Sequence, residues 1–253
     1  MKYTYLQDVE ERKRQYIKAI DYYLKNTKYR IVFCENTGAD VTELKKIKNA
    51  NRVEFISFVG NDYDSNLGKG YGEFMIIQEA FKRSLFIKKS SKVIKITGRL
   101  IVDNLTEIVK WHGIIFGNSN NFFFGSGNQD FKEFNSRCFI ASKKFISEVF
   151  LTENNVINDS KGYYFEHYLY DCVNRLPKDF IVSDFVIPIS IVGQSGTSGD
   201  YFNGVYLNRY EKLRLIRDFC QRNKIAFLND KQMVYYRMSI VSFLVRVAKA
   251  FVK

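Results

Sequence analysis

The chain has 253 residues, 46% of them hydrophobic and only two of them proline, which excludes a disordered or low-complexity protein. Its length allows one large domain or two small ones. A formal net charge of +12 favours an anionic partner: a nucleotide, a nucleic acid or a phospholipid surface.

The few cysteines and histidines limit the chemistry. The cysteines are far apart and lack metal-ligand spacing, so we expect buried reduced thiols and a reducing cytosol. With two histidines, a His-rich metal site is not expected. The N-terminus lacks an apolar signal core, and no uncharged run is long enough to span a bilayer.

The first hundred residues predict alternating helices and strands. Residues 8–25 have one apolar stripe and a capping residue at Asp8. Two further helices and three strands follow from the apolar spacing: helices at 41–48 and 74–86, strands at 29–34, 53–58 and 92–96. Residues 53–96 therefore predict a βαβ unit with parallel strands.

A polar turn follows each of these three strands. Ligands of such sheets bind beyond the carboxyl ends of the strands, so we expect the turns to converge in a nucleotide-sized cleft. The turn residues are Glu35, Asn36 and Thr37 after the first strand, Asn61 and Asp62 after the second, and Thr97, Gly98 and Arg99 after the third.

The rest of the chain continues the alternation as far as a helix at 209–223. Between residues 100 and 200 we predict helices at 105–111, 143–150 and 162–174, strands at 114–124 and 136–142, an extended run at 180–192, and polar loops at 125–130 and 193–200. Residues 231–253 carry five positive charges and no acidic residue. This segment is either an interfacial helix on an anionic membrane or a helix docked on the core with a basic solvated face.

Three groups of residues suggest phosphate chemistry, each with a structural alternative. Residues 69–73 can form a phosphate cradle or a tight turn that starts a helix. Asp62 and Asp64 can hold a divalent cation, Mg²⁺ or Mn²⁺, or stabilise a turn. Arg99, at a strand end, can clamp phosphates without a metal or form a structural ion pair.

Glu166, early in a predicted helix beside His167, is the candidate general base for a sugar hydroxyl. The alternative is an exposed glutamate on a helix face. Asp130 and Asp200, next to Gly-rich loops, compete for the role. The sequence shows no Ser-His-Asp arrangement, no compact basic stripe and no known nucleic-acid module.

The order of six segments resembles the nucleotide-sugar-binding half of GT-A-fold glycosyltransferases, and more closely the small glycosyltransferases of bacterial capsule and O-antigen assembly. The segments are residues 30–36, 68–74, 95–99, 136–143, 165–168 and 193–197. The resemblance implies a single α/β, GT-A-like (Rossmann-like) domain over 1–230, with a mostly parallel central sheet flanked by helices, followed by an amphipathic helix at 231–253.

The resemblance also implies a function. The enzyme would transfer a sugar from a nucleotide-sugar donor, a UDP-sugar, to an undecaprenyl-linked or other glycan acceptor. It would work at the inner face of the cytoplasmic membrane, without nucleic acid, and by inversion. Where the GT-A pattern has a metal-binding acid-x-acid motif, this chain has residues 97–99. Three alternatives stay open for this role. Arg99 and Lys95 neutralise the diphosphate, or Asp103 reaches into the site, or Asp62 and Asp64 act as the acid-x-acid pair.

The implied site residues fall into three groups. The catalytic residues are Glu166, Arg99 and Asp130. The nucleotide-sugar-binding residues are Glu35, Asn36, Thr37, Asn61, Asp62, Lys69, Gly70, Glu73, Lys95, Thr97, Gly98 and Arg99. The acceptor-binding residues are His167, Ser195, Gly196 and Thr197. Two other classes stay open: a non-catalytic nucleotide- or nucleic-acid-binding protein, and another transferase, such as a metal-dependent nucleotidyltransferase.

Overall fold

A computed structural model describes residues 8–40, 50–117, 119–153, 157–196 and 198–227. The helices expected at 41–48 and 231–253, and the expected acceptor residue Thr197, lie outside these ranges. The described chain forms two compact units. One holds the described residues of Met1–Ile101, Asn120–Asp184 and Ile191–Asn203, and the other those of Val102–Ser119, Phe185–Ser190 and Gly204–Lys253.

Helices and strands alternate along the chain, so the α/β class is confirmed. The helices are α1 (Val9–Asn26), α2 (Gly68–Arg83), α3 (Leu85–Lys88), α4 (Leu105–Phe116), α5 (Lys143–Glu148), α6 (Phe165–Asn174) and α7 (Arg209–Phe227). The strands are β1 (Ile31–Glu35), β2 (Val53–Ser57), β3 (Lys92–Ile96), β4 (Ile101–Val102), β5 (Phe122–Asn128), β6 (Glu133–Ser142), β7 (Ile181–Ser183), β8 (Ile191–Gln194) and β9 (Tyr201–Asn203).

Strand pairing is mixed. β1 and β2 are parallel, with Ile31 opposite Val53. A four-stranded sheet has the order β3-β6-β5-β7, in which β6 is antiparallel to both neighbours and β5 is parallel to β7. A third sheet has the order β4-β8-β9. The expected βαβ unit is corrected here, because β3 pairs antiparallel with the long strand β6 instead of joining β2.

The first helix forms as its sequence predicts. The Asp8 carboxylate accepts a hydrogen bond from the Glu11 amide at 3.0 Å and caps the helix. Its inner stripe buries Ile20 and Leu24 against Phe33 of β1 and Val53 of β2. Removing these side chains from water holds α1 on the parallel strand pair.

Aromatic residues dominate the main core of the first unit. Phe74 of α2, Phe139 of β6 and Phe165 of α6 are almost completely buried. The rings of Phe74 and Tyr168 meet edge-on, with centroids 5.8 Å apart. Because α2 and α6 share this core, their N-terminal ends are fixed relative to each other and to the sheet.

Three element boundaries differ from the expected ones. α2 begins at Gly68, so residues 69–73 lie inside its first turns rather than in a preceding loop. α4 continues to Phe116, where a strand was expected. The segment 125–128 belongs to β5 rather than to a loop, because pairing with β6 overrides the local preference of its glycines.

The second unit packs α4 and α7 with residues 185–190. The Asn104 side chain donates to the Pro188 carbonyl at 2.9 Å and accepts from the Ser190 amide at 3.0 Å. Lys212 of α7 pairs with Glu107 of α4 at 2.8 Å. Within the ranges that the structure covers, no helix combines the length and apolarity that crossing a bilayer requires.

Candidate functional site

The N-terminus of α2 is occupied by a carboxylate of the chain itself. Asp159 accepts a hydrogen bond from the Lys69 amide at 2.9 Å and one from the Gly70 amide at 3.4 Å. The helix dipole and the free amides of a first turn favour a negative charge there. A side chain at Gly68, where φ is +80°, would collide with Asp159. The expected phosphate cradle at 69–73 thus already holds an anionic group.

The end of β1 meets the same helix at Gly72. A Cβ placed on Gly72 would lie 2.5 Å from the Tyr63 hydroxyl and 3.4 Å from the Asn36 side-chain nitrogen. Asn36 is 3% exposed, and Nδ2 of its amide has no hydrogen-bond partner among the described residues. Burial raises the pKa of Tyr63, and its hydroxyl donates to the Gly68 carbonyl at 3.0 Å.

A chain of charged and polar groups links α2, β3, β6 and α6. The Lys95 ammonium of β3 contacts the Glu73 carboxylate of α2 and the backbone carbonyl of Ser136. The Ser136 hydroxyl donates to Oε1 of Glu166 at 2.6 Å. We call these four residues the Glu73–Glu166 network. It brings together Glu73 and Lys95, which were expected to bind the nucleotide sugar, and Glu166, the expected general base.

Lys95 is the central cation of the network. Its side chain is 10% exposed, whereas that of Glu73 is 28% exposed. The ammonium lies 5.5 Å from the centroid of Phe165 and 3.4 Å from the Thr97 hydroxyl. A charge so enclosed requires a partner, and Glu73 supplies it.

The first two strand exits are held together by the backbone. The Gly60 amide donates to the Asn36 carbonyl at 2.9 Å, and Thr37 forms an antiparallel bridge with Val59. The Glu35 carboxylate accepts from the Thr37 amide at 2.7 Å and from the Ser57 hydroxyl. Asn61 and Asp62 are exposed. Glu35 and Thr37 therefore stabilise the turn itself, and their predicted contact with a nucleotide stays a prediction.

Arg99 lies at the end of the β3–β4 turn and contacts the loop between β8 and β9. A Cβ on Gly196 would collide with Nη2 of Arg99, while Nη1 is buried without a hydrogen-bond partner in the part of the chain described. Burial lowers the pKa of Arg99, and the positive charge of Arg12 lowers it further. The guanidinium nevertheless stays protonated at neutral pH. The structure thus brings Arg99 together with Gly196.

The remaining expected residues lie in local motifs. The Ser195 hydroxyl accepts from the Ser198 amide at 3.2 Å. His167 accepts from the Tyr164 amide at 3.2 Å and belongs to a capping box at the start of α6. Asp130 lies in an exposed turn, where its amide donates to Asn128 at 3.1 Å. Their predicted catalytic or acceptor-binding roles are not tested by these contacts.

The described acidic residues do not form a donor set for a divalent cation. Asp64 caps a short 3₁₀ turn by accepting from the Asn66 amide at 3.0 Å. Across the ranges covered by the structure, no three His, Cys, Asp or Glu side chains are grouped so that they could hold a metal ion.

Sequence reasoning missed Asp159, Tyr63 and Arg12, and gave Ser136 no role at the site. Asp159 follows Asn158, a pair typical of turns and caps, but its target is 90 residues away along the chain. The pairing of Ser136 with Glu166 crosses from a strand to a helix. Contacts of this kind depend on tertiary packing and leave no periodic signal.

The fold and the site define an α/β protein whose polar network joins a helix start to the end of a strand. The chain matches no protein-family model and no curated protein. Among solved structures it is similar to HddC from Yersinia pseudotuberculosis, with a TM-score of 0.41 and 17% identity. That likeness covers 70% of this chain and 78% of the other.

Proposed function

We propose that the protein is a glycosyltransferase that moves a sugar from a UDP-sugar to a glycan acceptor. The observation that carries the proposal is the Glu73–Glu166 network. It connects the strand end expected to face the donor diphosphate with the helix start expected to supply a base. The hydrogen bond from Ser136 fixes one oxygen of Glu166, and the other oxygen can accept an acceptor hydroxyl proton.

In the proposed reaction, an acceptor hydroxyl oxygen forms a bond to the anomeric carbon as the bond from that carbon to the diphosphate oxygen breaks. Glu166 takes the hydroxyl proton, and the nucleoside diphosphate leaves with the bonding electrons. Arg99 opposes the growing negative charge on the diphosphate. Lys95 contributes less than expected, because Glu73 already neutralises it.

The acceptor and the membrane contact are further parts of the proposal. We infer a lipid-linked glycan acceptor and an anionic membrane surface bound by residues 231–253, a segment that carries five positive charges and no acidic residue. Deleting 231–253 should release the protein from anionic vesicles in a flotation assay. Unchanged flotation would remove the segment from this role.

Replacing Glu166 tests the assignment of the base. We expect Glu166→Gln to lower sugar transfer by about 100-fold or more, because the amide cannot take up the proton, while UDP binding stays unchanged. Glu148→Gln is the matched control, since Glu148 is an exposed helix glutamate of the same unit. Full transfer activity in Glu166→Gln would exclude Glu166 as the base.

A non-catalytic nucleotide-binding protein is the second candidate. It is favoured because Lys95 is already paired with Glu73, which leaves fewer free positive charges to stabilise a departing diphosphate. Donor hydrolysis across common nucleotide sugars, with and without a chelator, separates the two. Hydrolysis supports the transferase, and its loss with the chelator indicates a required cation. Thermal stabilisation by nucleotides without turnover supports the second candidate, and stabilisation by a single-stranded oligonucleotide contradicts the proposed absence of nucleic-acid binding.

A further inference from the structure

Arg99 differs from Lys95 in having no carboxylate partner among the residues that the structure describes. Lys95 is paired with Glu73, but Arg99 makes no ion pair with any residue that the structure describes, and Nη1 is buried without a hydrogen-bond partner. A partly buried guanidinium with an unsatisfied nitrogen is costly unless an anion completes it. This position therefore calls for an anionic ligand.

Helix α1 brings a second arginine to this place. Tyr16 of α1 packs on the β3–β4 turn, where a Cβ on Gly98 would lie 3.2 Å from its ring. Gln15 donates to the side chain of Gln194 in β8 at 3.2 Å. Arg12 lies one turn before these residues on the same face of α1. That face is thus fixed against the β3–β4 turn, which carries Arg99, and against the last residue of β8, directly before the loop that contacts Arg99.

Arg12, like Arg99, has no compensating carboxylate in the described part of the chain. It is half-buried and has no ion pair with another described residue, unlike Arg14, which pairs with Glu11 at 2.7 Å on the exposed side of the helix. Two guanidinium groups of like charge close enough to influence each other repel. A multiply charged anion between them relieves that repulsion and pairs with the donors of both forks.

We propose that Arg12 and Arg99 together form a binding site for a diphosphate group, closed on one side by Gly196. This inference deepens the proposed function and rests on it for the identity of the ligand. The missing side chain at Gly196 gives the Arg99 guanidinium its place. The diphosphate belongs either to the nucleotide donor or to a lipid-linked acceptor, which share this chemistry.

Calorimetric titration of the full chain with inorganic pyrophosphate tests the site directly. We expect binding by the wild type, and weakening by about tenfold or more in Arg12→Gln and in Arg99→Gln, because each loses a charge-assisted hydrogen-bonding fork. Lys18→Gln is the control. It removes one positive charge from an exposed position of the same helix and should change affinity less than threefold.

A second variant separates the geometry from the net charge. Gly196→Ala keeps every charge but displaces the Arg99 guanidinium. It should therefore weaken the binding of pyrophosphate as much as Arg99→Gln does. Circular dichroism establishes that each variant is folded. An undetectable wild-type affinity, or affinities for Arg12→Gln and Gly196→Ala that match the wild type, would overturn the site.

Two further ligands identify the source of the diphosphate. Tighter binding of UDP than of pyrophosphate assigns the site to the donor, whereas tighter binding of farnesyl diphosphate assigns it to a lipid acceptor. Arginine-dependent pyrophosphate binding without sugar transfer would leave the site standing and remove the proposed function. Sugar transfer that is unaffected by Arg12→Gln would leave the proposed function standing and remove Arg12 from the diphosphate site.

Discussion

The charged residues at the candidate site differ chiefly in whether other residues of the chain supply their hydrogen-bond and ion-pair partners. Glu35 accepts hydrogen bonds from Thr37 and Ser57, and Lys95 forms an ion pair with Glu73. Arg99 retains a buried nitrogen that no described residue hydrogen-bonds. Since a desolvated charge without a partner is expensive, an exception of this kind marks ligand recognition better than charge alone.

The ion pair of Lys95 and Glu73 predicts a stability effect. Lys95→Met keeps the length and apolar stem of the side chain beside Phe165 but leaves Glu73 without its cation. We expect the free energy of unfolding to fall by about 2–3 kcal/mol, below the range for a completely buried pair because Glu73 is partly solvated. Urea denaturation measures the change.

The control is Lys82→Met. Lys82 is 72% exposed and lies 3.5 Å from Glu79. Because Lys82 is exposed and Glu79 keeps its shorter contact with Arg83 at 2.6 Å, we expect the loss of this pair to cost less than about 1 kcal/mol. Equal losses in the two variants would show that enclosure of Lys95 does not strengthen its pair.

At the level of elements, α2 shows why a Gly-rich segment need not be a ligand loop. Gly68, Gly70 and Gly72 are buried within the helix, where they let Asp159 and Tyr63 approach its backbone. The glycines lower helix propensity, but the Asp159 carboxylate on the first amides compensates for part of that loss. The Gly-rich segment therefore packs α2 closely against Asp159 and Tyr63 of the same chain.

Two helical glycines allow a matched test of this docking. A Cβ on Gly70 would lie 2.9 Å from Asp159 and 3.1 Å from the Phe165 amide nitrogen, whereas nothing lies within 4 Å of a Cβ on Gly113 in α4. We expect Gly70→Ala to destabilise the protein by about 1–3 kcal/mol through steric overlap. Gly113→Ala should stabilise it by about 0.5–1 kcal/mol through helix propensity. Chemical denaturation checks both, and stabilisation by Gly70→Ala would contradict the close approach.

At the scale of the whole molecule, stability should depend on pH through a buried histidine of the second unit. His112 is 4% exposed, stacks on Phe116 and accepts from the Val186 amide at 3.4 Å. Burial lowers the pKa of His112 to about 3. Protonation would place a charge in this apolar site and break the bond to Val186.

The sign follows from the two states. Because the unfolded histidine has its ordinary pKa near 6.5, the unfolded chain binds the proton first as the pH falls. The stabilisation is complete above about pH 6.5 and is lost as the pH falls towards 3. Between pH 7 and pH 5 we expect a loss of about 2 kcal/mol, measured by urea denaturation. His112→Gln should flatten this dependence, while His167→Gln should retain it; an acid dependence that survives in His112→Gln would contradict the assignment.

The sequence by itself determined the local elements with strong periodicity. The cap at Asp8, helix α1 and strands β1, β2 and β3 lie close to their expected positions, because apolar spacing and capping chemistry act over a few residues. It also determined the α/β class and singled out Lys95, Arg99 and Glu166.

Only the tertiary structure decided which of these residues act together. Four contacts join positions far apart in the chain: the antiparallel pairing of β3 with β6, the carboxylate of Asp159 on α2, the hydrogen bond from Ser136 to Glu166 and the contact of Arg99 with Gly196. Strand partners and buried charge pairs are chosen by the packing of a shared core and by the cost of leaving polar groups unpaired. Neither the strand partners nor the buried charge pairs can be predicted from the spacing of residues along one segment.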